Sequence, residues 1–103
     1  MQTLFRDYLN REEEPKGPDV LALQLWLRGL GYRHVDPDGE YGPKTAAAVR
    51  SLQIDLGFAT NEADGSFGPK TREKVLRIHG INFHSIPLLT EFSLMAEPVM
   101  GTA

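Results

Sequence analysis

The chain has 103 residues, 41% of them hydrophobic, and its 11 Lys and Arg against 14 Asp and Glu leave a net charge of -3. That length suits one domain, and the charge balance offers no overall basic surface for phosphates, which argues against sequence-independent nucleic-acid binding and against attachment to anionic membranes. Cysteine is absent, which excludes disulfides, thiolate metal sites and thiol nucleophiles together, and no apolar run is long enough to span a membrane.

The chain opens Met1-Gln2-Thr3-Leu4-Phe5-Arg6-Asp7-Tyr8, with no apolar core of a secretory signal, so synthesis in the cytoplasm without general export is expected. Leu4, Phe5, Tyr8 and Leu9 are spaced for a short amphipathic helix that ends near Glu14-Pro15, with Glu12 to Glu14 as its solvated end. Asp19 is a candidate N-cap for a helix over 20–30 that Gly31 closes, with Val20, Leu23, Leu27 and Leu30 on its inner face.

An internal repeat organises the remainder of the domain. Asp38-Gly39-Glu40-Tyr41-Gly42-Pro43-Lys44-Thr45 recurs 26 residues later as Asp64-Gly65-Ser66-Phe67-Gly68-Pro69-Lys70-Thr71. In each copy Asp-Gly makes a tight turn and the aromatic residue points inward as an anchor. The next glycine, Gly42 or Gly68, is expected at positive φ, and Pro-Lys-Thr starts a helix. Helices are therefore predicted over 44–56 and 70–79, stopped by Gly57 and Gly80. Thr45, Val49, Leu52 and Leu56 form the inner face of the first, and Thr71, Val75 and Ile78 that of the second. Gln24 and Gln53 recur before the two loops and are expected to tie loop backbone groups, because a buried amide must find partners.

The predicted fold is all-α: a compact three-helix bundle with two pseudo-symmetric loop-helix repeats, a short N-terminal helix and an apolar C-terminal tail. The expected divisions are an amphipathic segment at 1–16, the three-helix domain at 17–80, and a tail at 81–103 that packs on the domain or on a partner. Phe83, Ile86, Leu88, Leu89, Phe92, Leu94 and Met95 make that tail too apolar for an ordinary disordered end.

No catalytic constellation accompanies this scaffold. His34, His79 and His84 lack the spacing and glutamate of a zinc helix, and no serine sits in a Gly-x-Ser-x-Gly turn. Asp36-Pro37-Asp38-Gly39-Glu40 lacks the ligand ladder and distal glutamate of a calcium loop, so turn formation explains it better. The chain is not expected to be an enzyme by itself, nor to hold a metal or cofactor.

The ordered motifs resemble the type 1 peptidoglycan-binding domain, a three-helix module attached to many cell-wall hydrolases. They run from Gly17-Pro18-Asp19-Val20 through Leu23-Gln24, Leu27, Leu30-Gly31-Tyr32 and the first repeat, then Ala48-Val49, Leu52-Gln53, Gly57-Phe58 and the second repeat. The resemblance implies a shallow groove beside the helices for a muropeptide or its D-alanine end. Residues whose chemistry suits such a ligand are Arg28, Tyr32, Tyr41, Lys44 and Thr45, with Arg28 or Lys44 drawing the carboxylate and Thr45 and free N–H groups orienting it. It implies non-catalytic binding that concentrates an associated hydrolase at the wall, reached through lysis, a virion or a partner.

The chain departs from the family at Leu25, Trp26 and Ile54, where polar residues are usual, and in a longer connection at 59–63. Together with Phe83 and Phe92 these residues point either to an enlarged core covered by the terminal segments or to an interaction surface. The alternative function is accordingly a structural subunit that docks into a larger phage or cell-envelope assembly without glycan contact.

Overall fold

The computed structural model describes residues 6, 8–10 and 12–83, and among them are three helices and no strand. Helix α1 spans Pro18–Leu30, α2 Pro43–Asp55 and α3 Pro69–His79. Each begins on a Gly-Pro pair: the glycines Gly17, Gly42 and Gly68 take non-helical backbone, and proline supplies the first turn, where its missing N–H would have had no partner. Asp19 is therefore not the N-cap expected from its residue type. It lies inside the first turn of α1 and is 2% exposed.

The Asp19 carboxylate faces the N-terminal segment. Arg6 donates to it through Nε and Nη2, both at 2.8 Å, and through its backbone N–H at 3.1 Å. Burial pushes the Asp19 carboxyl up, but the hydrogen bonds and charge of Arg6, with the Val20 N–H, outweigh it and hold the group below its ordinary value. A carboxyl depressed in this way binds fewer protons in the native chain than in the unfolded one. Its stabilisation is complete above the unfolded value of about 4 and fades as pH falls through the lower folded value. We expect Asp19→Asn to cost about 1–2 kcal/mol at neutral pH and to flatten the loss of stability below about pH 4. Urea titrations between pH 2 and 7 check this; an acid limb as steep as that of the parent chain would contradict it.

None of the described residues between Arg6 and Lys16 is helical. In place of the predicted N-terminal helix, Leu9 exchanges backbone hydrogen bonds with Phe67, N to O at 3.1 Å and O from N at 2.7 Å. Further on, Gly17 N–H donates to Gly39 O at 3.0 Å, and Pro15 O accepts from Tyr41 N at 2.9 Å. One strap thus pins the aromatic position of both repeated loops. The apolar spacing has a structural counterpart in Leu9, which is fully buried, but a single side chain inserted beside Phe67 satisfies it without a helix. Leu4 and Phe5 lie outside the described residues.

The core lies where the inner helix faces meet the loop aromatics. Val20, Leu23, Leu27, Val49, Leu52, Val75, Tyr41 and Phe67 are buried, as are Thr45 and Thr71. Two expected core residues are outside it: Leu30 is 38% exposed and Ile78 57%. The third helix buries Arg72 instead, whose guanidinium lies 4.9 Å from the centre of the Phe67 ring and donates to the Arg6 carbonyl.

After Gly80 ends α3 in a left-handed turn, Phe83 returns to the core. Its ring stands edge-on to Phe67 at 5.1 Å and to Trp26 at 5.1 Å, and Trp26 meets His79 at 5.5 Å. For these residues the apolar sequence enlarges the core, and Phe83 is not part of a surface. Phe92 and the rest of 84–103 lie outside the described residues.

Candidate functional site

The two repeated loops are built on the same bonds. Gln24 Oε1 accepts from Gly39 N–H at 2.8 Å, while its amide nitrogen faces Asp38 Oδ1, Glu40 O and Thr45 Oγ1 at 3.1, 2.9 and 2.9 Å. Gln53 does the same with Gly65 N–H at 2.9 Å and with Asp64 Oδ1, Ser66 O and Thr71 Oγ1 at 3.2, 2.9 and 2.9 Å. Asp38 and Asp64 each accept a further bond at 3.0 Å from the backbone N–H two residues on, a side-chain turn characteristic of Asp. The Glu40 N–H and then the Gln24 amide hold the Asp38 carboxyl below its ordinary value.

This geometry corrects which glycine carries the unusual backbone. Gly39 and Gly65 have φ of +78° and +81°, whereas Gly42 and Gly68 are extended at -100° and -114°. The reason is the following proline, which excludes helical backbone before it and favours the extended form that any residue can adopt.

Tyr41 and Thr45, expected from their chemistry to touch a ligand, are structural. Tyr41 is fully buried and its hydroxyl donates to Gly65 O at 2.7 Å, joining the first loop to the second; burial and the nearby Asp64 charge raise its pKa. Thr45 is 2% exposed and its hydroxyl accepts from Gln24. Lys44 is exposed but pairs with Asp36 at 3.2 Å, in a cleft that also holds Asp38 and Glu40, so three carboxylates there oppose an anionic ligand. Arg28 donates to the carbonyls of Arg33 at 3.4 Å and Val35 at 3.1 Å, which makes it a positioning residue for the loop after α1.

That loop forms the most suitable cleft. Gly31, at φ +109°, ends α1, and its N–H returns to Arg28 O while Tyr32 N–H returns to Leu27 O. The chain is thereby turned so that Gly31, Tyr32, Arg33 and His34 stand over Ala47, Ala48 and Ser51 of α2, around a cleft of about 370 Å³. Its size lies within the range of small-ligand sites. The Tyr32 hydroxyl donates to Asp55 Oδ2; burial and that bond push its pKa up to about 12, so it stays a neutral wall at any working pH.

Among the described residues no carboxylate lines this cleft, and Arg33 and His34 are exposed at it. Of the five residues selected by chemical type, Tyr32 lines it and Arg28 shapes it. Arg33, His34, Ala47, Ala48 and Ser51 were missed. A run of alanines reads as plain helix, and their smallness becomes an open floor only when a loop crosses it.

The apolar candidates divide likewise. Leu25 and Ile54 are 43% and 38% exposed, each directly after a buried glutamine, and Trp26 is partly buried. Among the described residues no group of three His, Asp or Glu is placed to hold a metal ion, and no helix is long and apolar enough to cross a membrane.

No curated protein and no solved structure matches the chain. The family model described as a putative peptidoglycan binding domain matches residues 16–60, from the strap ahead of α1 to the turn after α2. Every described residue lining the cleft after α1 falls within that match. Over residues 16–60 this chain is therefore similar to the putative peptidoglycan binding domain family.

Proposed function

We propose that the chain binds cell-wall peptidoglycan without cleaving it, through the cleft between the Gly31–His34 loop and α2, and so brings an associated activity to the wall. The observation that carries this reading is that the family match encloses the described residues of the cleft, none of them a carboxylate. A peptide stem presents methyl groups, amides and a terminal carboxylate. Ala47 and Ala48 leave room for the methyls, Ser51 offers a hydroxyl to an amide, and Arg33 and His34 supply donors for the carboxylate. Such a cleft holds a short segment weakly, which suits a module that acts by raising local concentration.

Co-sedimentation with purified sacculi tests it. Tyr32→Ala combined with Arg33→Gln is expected to lower the bound fraction on the order of tenfold, as loss of a ring wall and a charge-assisted bond predicts. Lys44→Gln, on the acidic side of the same loop, is expected to leave binding unchanged. Equal retention of the double variant and the parent chain would rule out this cleft, and clearing of a sacculus suspension by the pure protein would show that it is an enzyme.

One observation favours a second reading. Leu25 and Ile54 stand exposed at matching places after Gln24 and Gln53, a pair of apolar side chains on which an interacting subunit can dock. Absence of sacculus binding together with a defined assembly in light scattering, lost in Leu25→Ser/Ile54→Ser, supports docking instead.

A further inference from the structure

The two repeats differ in how they treat one lysine. In the first, Lys44 at the start of α2 pairs with Asp36 at 3.2 Å. The residue 26 positions after Asp36 is Glu62, and the equivalent of Lys44 is Lys70. Glu62 instead turns back to accept from the Ala59 N–H at 3.2 Å, and no carboxylate of a described residue pairs with Lys70. A cation at a helix start opposes the helix dipole, so an unquenched lysine there is the less stable arrangement of the two.

Lys70 is also not isolated. With Lys74 and Arg77 it follows the i, i+4, i+7 spacing of one face of α3, rising about 6 and then about 4.5 Å along the axis. Together with Phe58, Glu62 and Glu73 these three cations line a groove of about 240 Å³. Lys74 is partly buried and has no ion pair with a described residue, while Arg77 pairs with Glu73 at 3.4 Å with both side chains exposed. The groove sets Lys70, Lys74 and Arg77 against Glu62 and Glu73 in a chain that is acidic overall, so the net charge of the sequence conceals a local excess of positive charge. These cations lie outside residues 16–60, and the peptidoglycan reading does not use them.

We propose that the groove along α3 is a second binding site, for a phosphate group, held by Lys70 and Lys74 beside the Phe58 ring. Ammonium groups hold phosphate as point charges, and Arg77 is already turned to Glu73, which leaves the two lysines as the cations for the ligand. The phosphate comes from a phosphodiester polymer of the wall or is free in solution.

The full chain is tested on cell walls that carry phosphodiester polymers, on the same walls stripped of them with cold hydrofluoric acid, and with inorganic phosphate followed by amide NMR. The site predicts tighter binding to untreated than to stripped walls, or phosphate-dependent shifts of the amides of 57–58 and 70–77. Either response is expected to fall on the order of tenfold in Lys70→Gln/Lys74→Gln and to weaken with added salt. Glu73→Gln, which removes an opposing charge, is expected to strengthen it a few-fold. A preference for untreated walls without phosphate shifts identifies the polymer as the source, and shifts without a wall preference identify free phosphate. No response in either arm, or one that the double variant keeps, overturns the proposal. Failure of the peptidoglycan reading is separate, because Tyr32→Ala/Arg33→Gln is then without effect on stripped walls.

Discussion

Gly65→Ala is expected to destabilise the fold by about 2–4 kcal/mol, the larger of two unequal effects at equivalent glycines. Gly65 sits at φ +81°, and a β-carbon there would lie 2.9 Å from the Ala46 carbonyl oxygen. That oxygen is helix backbone in the first turn of α2 and cannot move without shifting the helix. Gly39 has nearly the same φ, but its β-carbon would meet the Gly17 oxygen at an ordinary 3.6 Å, so Gly39→Ala is expected to cost about 1 kcal/mol from backbone strain alone.

Gly42→Ala is the control. Its backbone is extended and nothing lies within 4 Å of the added carbon, so a change of about 0.5 kcal/mol or less is expected. Urea denaturation of the three variants gives the order directly. If Gly42→Ala were the most damaging, the positive-φ position would have to be reassigned to the glycine before proline.

Gln53→Leu is expected to cost about 2–4 kcal/mol, which for a domain of this size is a fall in Tm of about 10 °C or more. Leucine fills nearly the same space, so the loss isolates hydrogen bonding from packing. The Gly65 N–H and the Ser66 carbonyl, both on buried residues, lose the Gln53 amide that they now bond.

Gln24→Leu removes the matching set, yet Asp38 and Glu40 are exposed and Gly39 is partly so. Water replaces the amide at that loop, and a cost of about 1–2 kcal/mol is expected. Thermal unfolding of the pair measures the difference. Equal losses would mean that the second loop is as accessible to water as the first.

Much of this architecture was legible because it depends on local chemistry. The repeated Asp-Gly-x-aromatic-Gly-Pro-Lys-Thr places a turn, an anchor and a helix start within eight residues, and each of those preferences acts over a few bonds. The paired glutamines were legible for a related reason: an amide flanked by core leucines has to be satisfied, and the nearby loops hold the unpaired groups.

What the sequence misassigned or left open has one cause. Residue type identified Asp19 as a cap and left Tyr41 and Thr45 between core and ligand and Phe83 between core and surface, and in each case a partner distant in the chain decided where the side chain sits. Asp19 meets Arg6, Thr45 meets Gln24, Tyr41 meets Gly65, and Phe83 packs on Phe67 and Trp26. A side chain with hydrogen-bonding or aromatic capacity serves a ligand or the fold equally well by its chemistry, and only its neighbours distinguish the two.

By itself the sequence determined the three helices, their glycine stops and the twin turns, since these follow from backbone preferences and apolar spacing within a few residues. Only the tertiary structure decided that Leu9, Pro15 and Gly17 pair with the two repeated loops and that a cleft opens over Ala47 and Ala48. It also decided that Lys44 is paired with a carboxylate while Lys70 has no such pair among the described residues. Those features arise from which segments meet in space, and the free energy of such meetings depends on burial and charge contributed by residues far apart along the chain.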